Sequence, residues 1–220
     1  MRPMRLLLVR HGETDWNAAK RFQGQADIPL NLTGQRQAAA VARVLRRDTV
    51  QVIIASDLLR AQETARVIAA PLQLIVNPDS RWREMAFGDW EGLTYDVLQH
   101  RHPKWLAAWY DDPLQVAPPN GETLTHVVNR VRAAWHDLRA TYANQTAVLV
   151  AHGGPLRILL CLALGLPPEA HWHFAVDPAS LSELLVYGQD ATLIRLNDTA
   201  HMRAEMNPSP QASEGKGVSI

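Results

Sequence analysis

The sequence predicts an α/β fold: a three-layer α/β/α sandwich on a mostly parallel sheet with an antiparallel edge strand. Three observations lead there. Leu6-Leu7-Leu8-Val9, residues 51–55 and residues 147–151 are short, continuous apolar runs of the kind buried on both faces of a sheet. Segments with apolar residues three and four apart separate these runs, and such alternation implies parallel strands with helices on both faces. Leu181 to Tyr187 and Thr192 to Leu196 flank Gly188-Gln189-Asp190, a hairpin signal.

Taken in order, the first run leads straight into Arg10-His11-Gly12. A histidine therefore stands at the carboxyl end of a strand, where open α/β sheets bind ligands. Arg10 offers a planar fork suited to phosphate, and Gly12 lets the backbone turn without a Cβ clash. Residues 12–32 are rich in turn formers and read as a loop carrying Asn17, Arg21, Gln23 and Gly24. Thr33 is the expected N-cap of a helix over 34–47, with Ala38, Val41 and Leu45 on one face. A strand over 51–55, a helix over 58–70 with Ala61, Ala65 and Ile68 inward, and a short strand from Leu72 to Val76 follow.

Residues 81–121 break the alternation. Trp82, Trp90, Trp105 and Trp109 gather there with Pro103, Pro113, Pro118 and Pro119, and the stretch is expected to be a largely helical lid over the strand ends. A helix over 122–143 follows from the spacing of Leu124, Val127, Val128, Val131, Trp135, Leu138 and Tyr142. The run over 147–151 ends in His152-Gly153-Gly154, and a helix is expected from Pro155 to Leu164, since a proline needs no amide partner in a first turn. Residues 1–206 are expected to form a single domain. The Pro-, Ser- and Gly-rich tail over 207–220 is expected to be disordered.

Bulk properties narrow the function. Lys plus Arg and Asp plus Glu both number 22, which argues against a nucleic-acid or membrane-surface role. The single cysteine, Cys161, has no internal disulfide partner and reads as a buried structural thiol. No apolar run reaches membrane-spanning length, and four apolar residues before Arg10 are too few for a secretory signal. A cytoplasmic protein is expected. Nothing in the sequence specifies an oligomeric state.

Four ordered stretches then carry a resemblance. Arg10-His11-Gly12-Glu13-Thr14-Asp15-Trp16-Asn17, Ser56 to Ala65 with Arg60, Glu84 with Phe87-Gly88-Asp89-Trp90-Glu91-Gly92, and Val148 to Gly154 together resemble the histidine phosphatase superfamily, the phosphoglycerate-mutase-like enzymes, over about residues 4–198. The resemblance implies a phosphoglycerate mutase-like fold and a phosphomonoesterase that works through a phosphohistidine, with no metal and no cofactor, on a small-molecule phosphate monoester. His11 is then the nucleophile. Arg10 and Arg60 bind the phosphoryl oxygens and stabilise spreading charge, and His152 helps to hold the phosphoryl group. Glu84 is the general acid and later the base; Glu13 and Glu91 compete for that role, although Glu13 is expected to fix its loop and Glu91 to be structural. Asn17, Gln23 and Gly24 match family positions that add phosphate and substrate contacts, and the Gly153 amide is a further candidate to reach phosphate.

Trp105, Ala108 and Trp109, at i, i+3 and i+4, are expected on one helix face, their rings either packed onto the domain or against an aromatic substrate. His100 with His102, and His171 with His173, lack the cysteine or carboxylate neighbours of a zinc site and read as surface or packing residues. The set His11, Arg10, Arg60, Glu84 and His152 favours an enzyme over a non-catalytic phosphate-binding module on the same fold. The stretch from Glu84 to Glu91 resembles the phosphatase branch rather than phosphoglycerate mutases. Pro119-Asn120-Gly121-Glu122, Phe87 to Glu91 and Trp172-His173-Phe174 are similar to the α-ribazole phosphatases of cobalamin synthesis, although broad-specificity histidine phosphatases share most of these features.

Overall fold

The computed structural model describes residues 2–206. Its strands are β1 (Met4–Arg10), β2 (Val52–Ala55), β3 (Val76–Pro78), β4 (Thr146–Ala151), β5 (Leu181–Tyr187) and β6 (Asp190–Asp198). They form one sheet in the order β3-β2-β4-β1-β5-β6. The first four are mutually parallel, and β5 pairs antiparallel with both β1 and β6. The hairpin expected from Gly188-Gln189-Asp190 thus supplies the antiparallel edge.

Helices α2 (Leu32–Leu45) and α3 (Leu59–Ala69) cover one face, and α6 (Leu124–Thr141) and α7 (Gly153–Ala163) the other. Alternation along the strands divides the core accordingly. Leu7, Val9, Ile53, Val148 and Val150 pack with Val41, Leu45, Ala61, Ala65 and Ile68. Leu6, Leu8, Ile54 and Leu149 pack with Val127, Val131, Leu156 and Leu159. Burial on both faces is why these strands read as unbroken apolar runs. The remaining helices are α1 (Asp15–Ala18), α4 (Tyr95–Arg101), α5 (Pro103–Asp111) and α8 (Ala200–Met206). None of the helices among the described residues is long and apolar enough to cross a membrane. The tail expected over 207–220 lies outside the described residues.

Several boundaries differ from expectation. The cap of α2 is Asn31, not Thr33: the Asn31 side chain accepts the Gly34 amide, so the helix begins two residues early. The loop over 12–32 contains α1, closed by a reciprocal bond pair between Thr14 and Asn17. The third strand is Val76–Pro78 rather than Leu72 to Val76, because a 3-10 turn over Ala70–Leu72 and a left-handed Gln73 occupy the earlier positions. Helix α7 starts at Gly153 instead of Pro155, with His152 as its cap residue and Pro155 still inside the first turn. The excursion over 81–121 holds α4 and α5, with 3-10 turns at Ser80–Trp82 and Gly88–Trp90, and is less helical than expected.

Candidate active site

Sheet register builds the centre of the site. The last β1–β4 pair is Arg10 with Ala151, so His11 and His152 are the next residues off two neighbouring strands. Their rings lie 5.0 Å apart and both are buried. Ser56, one residue beyond β2, comes within 2.8 Å of His152 Nε2 through its Oγ. This hydroxyl also accepts the Leu58 amide, and Nε2 is the one acceptor found for its own proton among the described residues, which favours a His152 ring proton on Nδ1.

His11 has a defined tautomer. Its Nδ1 lies 2.7 Å from the Gly12 carbonyl, which only accepts, so Nδ1 carries the proton and Nε2 keeps its lone pair. Burial, then Arg60, then Arg10 hold the His11 pKa well below the usual histidine value. Burial and Arg60 do the same to His152. Both rings are therefore neutral at pH 7.

The two arginines are locked from behind. Arg60, on the first turn of α3 and wholly buried, donates through Nη2 to the Gly24 carbonyl at 2.7 Å and through Nη1 to that of Ala26 at 2.8 Å. Burial pushes its pKa down to about 10, so it is still a cation at neutral pH. Arg10 donates through Nη1 to the Val176 carbonyl at 2.7 Å. Arg10 Nε, Arg60 Nε and His152 Nδ1 are buried and form no hydrogen bond among the described residues. Buried donors left in this state are costly, and three around one histidine make a cradle for an anion.

Glu84 reaches this centre from the excursion. Its Oε1 accepts the Met85 amide at 2.9 Å and its Oε2 the Gly154 amide at 3.2 Å. Arg130, on α6, donates to the carbonyls of Arg81, Arg83 and Glu84 and pairs with Glu122. Glu122 in turn accepts the Ala86 amide, and the Glu122 amide donates to the Ala86 carbonyl. The two stretches singled out in the sequence, around Phe87 to Glu91 and Pro119 to Glu122, thus meet and hold the Glu84 backbone. Glu91 accepts the Gln25 and Phe87 amides, and Glu13 accepts from Asn31, so both are tied into loop packing.

The other expected site residues fall at different distances from the centre. Gly153 opens α7 beside Arg10, whose Cζ would stand 3.8 Å from an added Cβ. Gly24 contributes the carbonyl that Arg60 uses; its φ of +53° and the Glu91 carboxylate, 1.9 Å from a would-be Cβ, require glycine. Gln23 is buried and accepts from Thr14, while Asn17 takes the Thr14 amide as part of the α1 cap. In these contacts both hold the loop behind His11.

A cavity of about 230 Å³ extends from Arg10, Glu84, Gly153 and Gly154 to a wall that includes Phe22, Phe87, Trp109 and Trp172. Trp109 belongs to it, only 3% exposed and edge-on to Phe22, Phe87 and Trp90. Trp105 does not. It is 47% exposed, its indole N–H donates to the Ala117 carbonyl, and it lines a separate surface groove with Lys104 and Pro118. The shared face expected for the two rings fails because α5 buries Leu106 and Trp109 and leaves Trp105 and Ala108 outside. His171, expected to be a surface or packing residue, is buried and lines the cavity. The described residues contain no cluster of three or more metal-ligating side chains. Ser56, Glu122, Arg130 and Arg157 were not singled out for chemistry. Each is one polar residue with a partner distant along the chain, and of the four the Ser56 and Glu122 stretches left a local trace.

A parallel sheet carrying two strand-end histidines and two buried arginines defines a class of phosphoryl-handling enzymes. The chain belongs to the histidine phosphatase superfamily, branch 1, whose family model matches residues 6–199. It is 34% identical over 199 residues to phosphoserine phosphatase 1 of Hydrogenobacter thermophilus, covering 90% of this chain and 94% of that one. The crystal structure of a putative α-ribazole-5′-P phosphatase from Escherichia coli K-12 superimposes with a TM-score of 0.84 at 34% identity, over 89% of this chain and 97% of that one. Mycobacterial glucosyl-3-phosphoglycerate phosphatase in complex with VO3 gives a TM-score of 0.82 at 35% identity, over 89% and 100% of the two chains. The protein is a hydrolase of the phosphatase kind.

Proposed function

We propose that the protein hydrolyses small phosphate monoesters through a phosphohistidine on His11. The observation that carries this reading is the trio of buried, unpartnered donors, Arg10 Nε, Arg60 Nε and His152 Nδ1, around a neutral His11 with a free Nε2 lone pair. In the first step Nε2 attacks phosphorus in line and the P–O bond to the leaving group breaks. The two guanidinium groups and His152 take the charge of the equatorial oxygens. Glu84, protonated, gives its proton to the departing oxygen. Glu84, now a carboxylate, removes a proton from water, which attacks the phosphohistidine, breaks the P–N bond and releases inorganic phosphate. Neutral His11 is the competent nucleophile, and burial, reinforced by the same two arginines that bind phosphate, keeps it neutral. Asn17, Gln23, Gly24 and Gly153 support the loop and the arginines from behind.

For the substrate, α-ribazole 5′-phosphate is supported by the aromatic wall of the cavity and by likeness to the E. coli structure. Likeness to a phosphoserine phosphatase and a glucosyl-3-phosphoglycerate phosphatase supports phosphorylated carboxylic acids as the alternative class. His11→Ala abolishes turnover, and rapid acid-free quenching of the wild type with labelled ester leaves acid-labile phosphate on His11. Phosphate trapped on any other residue defeats the assignment. Activity persists in EDTA, because the charges that face the phosphoryl group are side-chain cations. A loss restored by one divalent ion would replace this mechanism with a metal-assisted one.

A further inference from the structure

Ser56 carries a wholly buried hydroxyl at the centre of the site that none of the catalytic steps uses. The residue follows the end of β2, and its backbone is fixed from both sides. Its amide donates to the Val150 carbonyl at 2.9 Å, and its carbonyl accepts from Nε2 of Gln62, on α3, at 2.7 Å. Its Oγ accepts the Leu58 amide at 3.3 Å and lies 2.8 Å from His152 Nε2, on a residue 96 positions further along the chain. The other ring nitrogen of His152, Nδ1, is buried and has no partner among the described residues.

Two arrangements of protons fit the short contact, and they are not equivalent. In one, the hydroxyl donates to a lone pair on Nε2, and the ring proton sits on Nδ1. In the other, Nε2–H donates to Oγ. The hydroxyl then accepts twice, and its own proton has no acceptor among the described residues, which is costly for a group shielded from solvent. The second arrangement also turns an Nδ1 lone pair toward the anionic oxygens that Arg10 and Arg60 hold. An imidazolium would donate from both nitrogens, but burial, Arg60, His11 and Arg10 all act against charge on this ring.

We propose that Ser56 is a positioning residue for phosphoryl transfer: by donating to Nε2 it holds His152 in the Nδ1–H tautomer, so that a neutral histidine offers the phosphoryl oxygens a hydrogen bond instead of a lone pair. The inference rests on the phosphomonoesterase reading and adds a residue to it. The bond made by one nitrogen of a neutral imidazole decides which nitrogen carries the proton, and Ser56 supplies that bond. Without the hydroxyl the choice reverses, since the guanidinium cations that share the cradle favour a lone pair on their side of the ring. The effect passes through His152 and applies to any ester that the cavity admits.

Ser56→Ala tests the idea. Alanine is smaller than serine and keeps both backbone bonds, so the variant is expected to fold. Nitrogen-15 NMR of histidine-labelled protein, with the His152 signals assigned by their loss in His152→Asn, reads the tautomer directly. The expected result is an Nδ1–H ring in the wild type and a shift to Nε2–H in Ser56→Ala. In the same variant kcat/KM falls by about 10–100-fold, the range seen when the partner behind a metal-bound histidine is removed. The loss is equal on p-nitrophenyl phosphate and on an alkyl phosphate, because the phosphoryl group is common to both. Ser56→Thr, which keeps the hydroxyl, restores the tautomer and most of the rate. Wild-type activity in Ser56→Ala, an unmoved Nδ1–H ring, or a loss confined to the alkyl ester overturns the assignment. Calorimetry with inorganic phosphate reads the same role without turnover, with weaker binding expected for His11→Ala/Ser56→Ala than for His11→Ala. If the wild type releases phosphate from no ester, the parent reading falls, and the tautomer and the phosphate affinity still decide the role of Ser56.

Discussion

Gly154 lies so close to Glu84 that an added Cβ would stand 2.2 Å from Oε1. A methyl group there cannot coexist with the present carboxylate position, yet alanine suits a first helical turn at least as well as glycine. Gly154→Ala is therefore expected to change the melting temperature little while displacing the proton donor. The expected signature is a larger loss of kcat/KM on an alkyl phosphate than on p-nitrophenyl phosphate, whose leaving group needs no proton. Glu84→Gln gives the same asymmetry more strongly, with about 10²–10⁴-fold lost on the alkyl ester. Equal losses on both esters would move the acid role to Glu13 or Glu91. Each of those carboxylates is already engaged, with the Asn31 amide group and with backbone amides respectively.

At the scale of elements, the stretch carrying Glu84 is held from outside by α6. Arg130 satisfies three of its carbonyls and Glu122 one of its amides. Arg130→Met leaves the Arg81 and Arg83 carbonyls without their donor and removes the cation paired with Glu122, at a cost on the order of 2–3 kcal/mol. A melting temperature lower by roughly 5–10 °C, together with a reduced rate on alkyl esters, is expected. The two lid tryptophans separate in the same assay. Trp109→Ala empties a fully packed aromatic cluster, costs about 3–5 kcal/mol and harms every substrate. Trp105→Ala removes one exposed hydrogen bond and costs ~1 kcal/mol or less. These elements also mark how far the sequence is legible. Strand ends at His11 and His152 follow from unbroken apolar runs, and the long stripe of α6 from a local pattern of period 3.6. Asn31 outcompeted Thr33 because a side chain three residues ahead of Gly34 reaches its amide, a contest that propensity alone does not resolve. Arg130 and Arg157 were missed because a lone arginine on a helix carries no mark of the carbonyl it meets: Arg81, Arg83 and Glu84 lie more than 40 residues before Arg130, and Phe174 lies a turn and a loop beyond Arg157.

For the whole molecule, the buried histidines tie stability to acidity. His11 and His152 have native pKa values well below 6.5, chiefly through burial, and His171 and His201 are lowered in the same direction. Above about pH 6.5 neither the native nor the unfolded chain protonates them, so their contribution is complete. Below it the unfolded chain binds protons that the native chain refuses, and stability falls by up to about 1.4 kcal/mol per pH unit for each group. The melting temperature is expected to be level from pH 8 to 7 and to drop between pH 6.5 and 5, before most carboxylates titrate. A level curve over that range would contradict neutral, buried rings. The position of β1 has a consequence of another kind. It is the first strand made, yet its neighbours β4 and β5 end at Ala151 and Tyr187. At ~5–20 residues per second, Leu6 to Val9 waits roughly 10–30 s on the ribosome with both edges open. A nascent chain of this protein is therefore a prolonged client for holding factors, and a stop codon placed within α6 is expected to yield an insoluble fragment rather than half an enzyme.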